Sequence, residues 1–199
     1  SGSQTESYLA YSFPMSFTIP SMIASGRADL ARVALSRLPD PPAHTTWFTY
    51  VRCHDDIGWA FADDDVVAAG FDPDEHRRFL TRLYTSKLAD SFARGAPFQE
   101  DSLTGHARVS GTCASLAGVE KALETSDEKE LELAIRRILL IHGVIVTIGG
   151  IPLIYLGDEI AALNDYTYDE DPEKMGDSRW LHRGAFDWER AELRRDLGT

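Results

Sequence analysis

The sequence predicts an α/β fold in which helices cover a parallel sheet. Two observations predict it. The expected elements alternate as strand, helix, strand, long excursion, helix, strand, helix, the order that parallel strands with crossover helices require. Polar residues also cluster just after each strand, where α/β barrels and doubly wound sheets both place their chemistry. Both architectures satisfy this pattern.

Taken in order, residues 8–12 (Tyr-Leu-Ala-Tyr-Ser) make a short strand. Residues 21–37 have the spacing of an amphipathic helix, with Met22, Ile23, Leu30, Val33, Ala34 and, just beyond, Leu38 on its core side. Pro39, Pro41 and Pro42 stop it. The β-branched and aromatic run Trp47-Phe48-Thr49-Tyr50-Val51 is the next strand, and it delivers Arg52-Cys53-His54-Asp55-Asp56 at its carboxyl end. Residues 57–125 change character, with scattered acids, Gly and Pro and only short periodic segments. A helix is expected over 73–88, and Phe71, Phe79, Leu83, Tyr84 and Phe92 suggest a small core belonging to this segment. Long loop-rich segments of this kind carry function or form inserted lobes. Asp127 has the position of an N-cap, with Glu130 three residues on completing a capping-box pattern. The helix it opens runs to about Thr147 and ends at Gly149-Gly150. Residues 151–156 form a compact apolar strand that leads to Gly157-Asp158-Glu159, and a last helix covers 187–197.

The chain has 199 residues, of which 43% are hydrophobic and 26% charged, enough to bury a core as one domain or one domain with an insertion. Asp and Glu number 32 against 20 Lys and Arg, giving a formal charge of −12, which opposes a nucleic-acid partner but not a neutral ligand such as a sugar. Cys53 and Cys113 are too few for a disulfide scaffold, and neither lies in a zinc-binding spacing. No cofactor is expected; no calcium-ligand cluster with suitable oxygen spacing stands out, and calcium binding stays open. The amino-terminal residues lack the basic start and apolar run of a signal peptide, and localisation stays open. Residues 138–156 approach the length of a membrane span, but His142, Gly143, Thr147, Gly149, Gly150 and Pro152 interrupt them, so no membrane insertion is expected.

Three constellations carry chemistry. His54-Asp55-Asp56 follows a buried strand, and adjacent carboxylates suit a site that binds several hydroxyls or stabilises developing positive charge. A solvated strand-end turn is the plainer reading. Gly150-x-Pro152-x-x-Tyr155-x-Gly157-Asp158-Glu159 is read first as structural, its acids fixing loops by accepting amide hydrogen bonds. Asp177-Ser178-Arg179-Trp180-x-His182-Arg183 sets arginines beside an aromatic, which suits anchoring a carboxylate against an apolar platform, or plain surface ion pairing. Gly105 to Thr112 has too few ordered glycines for a phosphate loop, and no Gly-x-Ser-x-Gly elbow is present.

Five blocks together resemble the amylosucrases of the α-amylase superfamily, glycoside hydrolase family 13. They are Tyr50 to Trp59, Ser91 to Gln99, Arg108 to Thr112, Gly150 to Glu159 with Asn164-Asp165, and Asp177 to Trp180. The resemblance runs from about Tyr8 to Trp188 with the blocks in order. It implies part of a (β/α)8 TIM barrel, strands six to eight, with an inserted, partly helical lobe. Residues 1–56 would hold strands six and seven, with Ala10 on six and His54 ending seven. Residues 57–125 would be the lobe. Residues 126–199 would hold helix seven, strand eight ending at Gly157, and the start of helix eight.

The same resemblance implies an enzyme that takes glucosyl from sucrose through a covalent intermediate and passes it to an α-1,4-glucan. Asp55 matches the carboxylate that stabilises the transition state, and His54 its neighbour on the same ring. Asp56 and Arg108 match the pair that reads the fructosyl unit. Arg179 matches an arginine that closes the pocket floor through an ion pair with an aspartate upstream, while Arg77 and Gln99 resemble residues on the acceptor side. Cys53 stands where Ser or Asn is usual, and the block from Arg183 to Trp188 departs from the family's pattern.

Retaining transfer needs a nucleophilic carboxylate and a separate acid/base carboxylate. The resemblance sets both after strands four and five, outside this chain. The chain alone is therefore expected to be inactive, and to need a partner bearing strands one to five or self-association. Sucrose hydrolysis and a non-catalytic carbohydrate-binding fragment are the competing functions.

Overall fold

The computed structural model describes residues 9–195. Tyr8 of the first predicted strand and residues 196–197 of the last predicted helix lie outside them. Strand β1 (Leu9–Tyr11) leads into α1 (Phe13–Ser25) and α2 (Asp29–Ser36). Strand β2 (Thr46–Thr49), α3 (Asp63–Ala68) and α4 (Pro73–Tyr84) follow. Strands β3 (Ala96–Phe98) and β4 (Arg108–Ser110) precede α5 (Cys113–Ala117), α6 (Val119–Thr125) and the long α7 (Glu128–Thr147). After β5 (Ile151–Pro152), short 3-10 turns lead to α8 (Trp188–Glu192).

The molecule is a mixed α/β fold around a small parallel sheet of order β1-β2-β5. Ala10 pairs with Trp47 and Phe48 with Ile151, so β2 is the central strand. A second, antiparallel pair joins β3 to β4. One isolated bridge, Ile57 with Val109, ties the segment after β2 to β4.

The single helix expected at 21–37 is two helices. Pro14 sits in the first turn of α1, where its missing N–H leaves no bond unmade, and Gly26 ends the helix at φ 67° with its N–H on the Met22 carbonyl. Only α2 is amphipathic, burying Leu30 and Ala34. The separate lobe core is a second correction. Phe17 of α1 and Leu30 of α2 pack in one cluster with Trp59, Phe61, Leu80, Tyr84 and Val109. The Tyr84 hydroxyl donates to the Pro20 carbonyl at 2.8 Å, a contact that welds α4 to α1. The predicted helix at 73–88 ends at Tyr84.

Helix α7 occupies the predicted span, and the Asp127 carboxylate accepts from the Glu130 amide at 3.0 Å. The reciprocal half of the capping box is not made, because the Glu130 carboxylate reaches Arg137 at 2.6 Å and the Asp127 N–H bonds to the Ala122 carbonyl. Gly149 and Gly150 then turn the chain at φ 101° and 84°. A Cβ on Gly150 would lie 2.5 Å from the Trp47 carbonyl oxygen, so glycine alone permits this approach of the chain to β2. The strand predicted over 151–156 is only Ile151–Pro152, and it is exposed rather than buried. Pro152 has no N–H to give, and after the Leu153 N–H reaches the Thr49 carbonyl at 2.9 Å the chain leaves the sheet. The last predicted helix is short, α8 passing into a 3-10 turn over Leu193–Arg195. Among the described residues no helix is long and apolar enough to cross a membrane.

Candidate functional site

Held by a parallel neighbour on each side, β2 fixes where its carboxyl end points. Tyr50, Val51 and Arg52 continue it and are buried. Beyond them the chain opens into a cleft of about 560 Å³ whose wall includes Tyr50, Arg52, His54, Asp55, Asp56 and Arg179. Arg108 and Tyr155 complete it.

The two adjacent acids have different surroundings. The Asp56 side chain is 8% exposed and lies 3.6 Å from Arg108 Nη1. The bridge between Ile57 and Val109, with N–H to carbonyl distances of 2.8 and 2.9 Å, brings Arg108 there. Asp55 is half exposed, with His54 Nε2 3.5 Å from its carboxylate. Two guanidiniums face its Oδ1, Arg183 at 3.3 Å and Arg179 at 3.5 Å. Opposite charges at such range hold the carboxylate in one place.

Both arginines come from the 3-10 turn Ser178–His182 and the residue after it. Asp177 caps that turn and takes two bonds from Arg179, at 2.9 Å from Nε and 2.8 Å from Nη2. The hydrogen bond lowers the Asp177 carboxyl and raises the Arg179 guanidinium. Arg179 also lies over the Phe98 ring at 4.7 Å. Among the described residues its closest carboxylate is thus Asp177, and Asp55 is the second.

Arg77 and Gln99 are not part of the cleft wall. Arg77 donates to the Trp59 and Phe61 carbonyls and to Asp63, binding α4 to the segment before α3 and to its first residue. Gln99 is exposed at the end of β3 with φ 51°. Sequence reasoning placed Arg183 in the same constellation as Arg179, four residues on, but gave it no role on Asp55. That spacing on a tight turn was the available signal for two arginines reaching one acid. It also gave no site role to Arg52 and Tyr155, whose side chains stack at 4.5 Å in the cleft wall.

In the Gly150–Glu159 block the Glu159 carboxylate accepts an amide hydrogen bond, as expected, from the Gly157 N–H at 2.7 Å, whereas Asp158 engages the Arg52 guanidinium instead. Among the described residues two groups bring ligand-type atoms within 4.8 Å of one another, Cys53 with His54 and Asp55, and Cys113 with His142 and Asp158. In the first, a cation would compete with Arg179 and Arg183 for Asp55. In the second, Asp158 is already engaged by Arg52, and burial pushes the Cys113 thiol up to about 12, far from the thiolate a metal needs.

No protein-family model matches the chain. Among solved structures, sucrose 6F-phosphate phosphorylase from Thermoanaerobacter thermosaccharolyticum superposes with a TM-score of 0.64 at 17% identity, over 96% of this chain and 32% of that one. The two share a fold. This chain spans about a third of the length of that protein.

Proposed function

We propose that this chain is part of a sucrose-using, retaining glucosyl-transferring enzyme of the α-amylase superfamily, similar to the amylosucrases. One observation carries the reading. At the carboxyl end of a central parallel strand, Asp55 faces a cleft with His54 beside it and two guanidiniums on one of its oxygens. Glycosyl transfer passes through an oxocarbenium-like state, and a carboxylate held in place is what such a cation needs. The likeness of fold to a phosphorylase named for a sucrose phosphate supports this reading at a coarse level.

In this proposal β1, β2 and β5 stand for strands six, seven and eight of a (β/α)8 barrel, and residues 57–125 for its inserted lobe. Asp55 stabilises the glucosyl cation, His54 donates to the same ring, and Asp56 with Arg108 reads the fructosyl unit. The nucleophile and the acid/base carboxylate come from outside these 199 residues. Among the described residues β5 ends the sheet order β1-β2-β5 on its side, and Ile151 in it and Ile154 and Leu156 after it stand exposed. A polypeptide supplying further parallel strands is the partner this edge fits.

The test is titration of sucrose into the chain, followed by calorimetry and by fructose release. Binding that is lost in Asp55→Asn, without any turnover by the chain alone, is the expected result. Sucrose that fails to bind, or binds equally to the variant, would overturn the proposal. An α-1,4-glucan product from the chain joined to its remaining strands separates transfer from hydrolysis.

A further inference from the structure

We propose that His182 is the positioning residue of the cleft, acting on Asp55 through the His54 carbonyl. Its ring is 5% exposed and bonded at both nitrogens. Nδ1 accepts from the Gly111 N–H at 3.1 Å, and Nε2 lies 3.1 Å from the His54 carbonyl oxygen. An amide N–H only donates and a carbonyl only accepts, so the ring is the neutral Nε2–H tautomer. Protonation would set one N–H against another at Gly111.

The surroundings enforce that state. Burial lowers the His182 pKa to about 4, Arg52 and Arg183 push the same way, and the His54 carbonyl and Asp55 oppose them. The His54 carbonyl takes a second bond at 2.7 Å from Arg183 Nε, whose other arm reaches Asp55. Two neighbouring side chains therefore clamp the peptide oxygen that immediately precedes Asp55. Through Gly111 the same ring holds the loop after β4, which carries Arg108. A Cβ on Gly111 would lie 2.9 Å from the Leu116 side chain, so that side chain packs closely on this loop. His182 thus sets the spacing between the Asp55 carboxylate and the arginine beside Asp56. The effect on sugar rests on the proposed function, but the clamp itself does not.

The test uses the full chain, isotopically labelled, with two amide variants read by NMR. His182→Gln keeps a donor where Nε2 stands, and His182→Asn keeps an acceptor where Nδ1 stands. In the unsubstituted chain the ring is expected neutral and protonated at Nε2 from pH 7 down to pH 5. The Asp55 carboxyl signal is expected to move in His182→Asn and to stay near its original position in His182→Gln. Sucrose affinity is expected to fall about tenfold in His182→Asn and much less in His182→Gln. A charged or Nδ1-protonated ring in the unsubstituted chain overturns the proposal, and this measurement needs no variant to fold. An Asp55 signal unmoved in a folded His182→Asn overturns it as well. Failure of sucrose to bind the unsubstituted chain refutes the proposed function alone, because ring and carboxyl signals are read without sugar.

Discussion

Arg52 and Asp158 form an ion pair at 2.8 Å with both side chains almost wholly enclosed. Burial raises the Asp158 carboxyl pKa, and the Arg52 charge only partly offsets it. Among the described residues Arg52 Nη2 has no hydrogen-bond partner. Replacing one partner strands the other, so Arg52→Met is expected to cost about 3–5 kcal/mol. Arg52→Met with Asp158→Leu removes both charges and is expected to recover most of that loss, because desolvation of the pair then no longer opposes folding. Urea unfolding of the three proteins measures it.

Stability should depend on pH through His182. An unfolded histidine binds a proton near pH 6.5, whereas the buried ring does so only near 4. Between those values the unfolded chain holds more protons, so stability falls as pH drops from 6.5 to 4, by about 3 kcal/mol at most. His76, lowered by burial, pulls the same way, and the raised carboxyl of Asp158 pulls against it. Chemical unfolding at several pH values should show a shallower slope in His182→Gln than in the unsubstituted chain.

Two glycines should respond oppositely to alanine. Gly150 combines φ 84° with a carbonyl 2.5 Å from the added Cβ, and Gly150→Ala is expected to cost about 1–3 kcal/mol or more. Gly143 lies inside α7 with nothing within 4 Å of the added carbon. Gly143→Ala is expected to stabilise by about 0.5–1 kcal/mol. Thermal unfolding distinguishes the two.

Leu139 and Val146 of α7 are exposed, at 66% and 53%, on the helix that precedes β5. Large apolar surface of this kind promotes association. Lysine at both positions is expected to reduce self-association in sedimentation velocity, with little change in melting temperature.

What the sequence made legible was local. Asp127 and the twin glycines mark both ends of α7 because capping and left-handed turns need only neighbours in the chain. The run Trp47 to Val51 reads as a strand for the same reason. The shared core does not read this way, since Phe17 meets Phe61 and Tyr84 meets Pro20 across long stretches that no periodicity records. In the cleft, the acids after β2 were visible as a strand-end cluster. Their nearness to Arg179 followed only from a resemblance, and Arg183 and His182 gained their parts from a tight turn whose direction the sequence does not encode.

The pairing of β2 with β5 has a kinetic consequence. Thr49 and Ile151 stand 102 positions apart, so this edge closes only after the intervening chain has collapsed. Closing so large a loop is entropically unfavourable and slow relative to helix growth. Helices α7 and α4 are therefore expected to gain protection from hydrogen exchange early in refolding, and the Leu153 amide on Thr49 to gain it late.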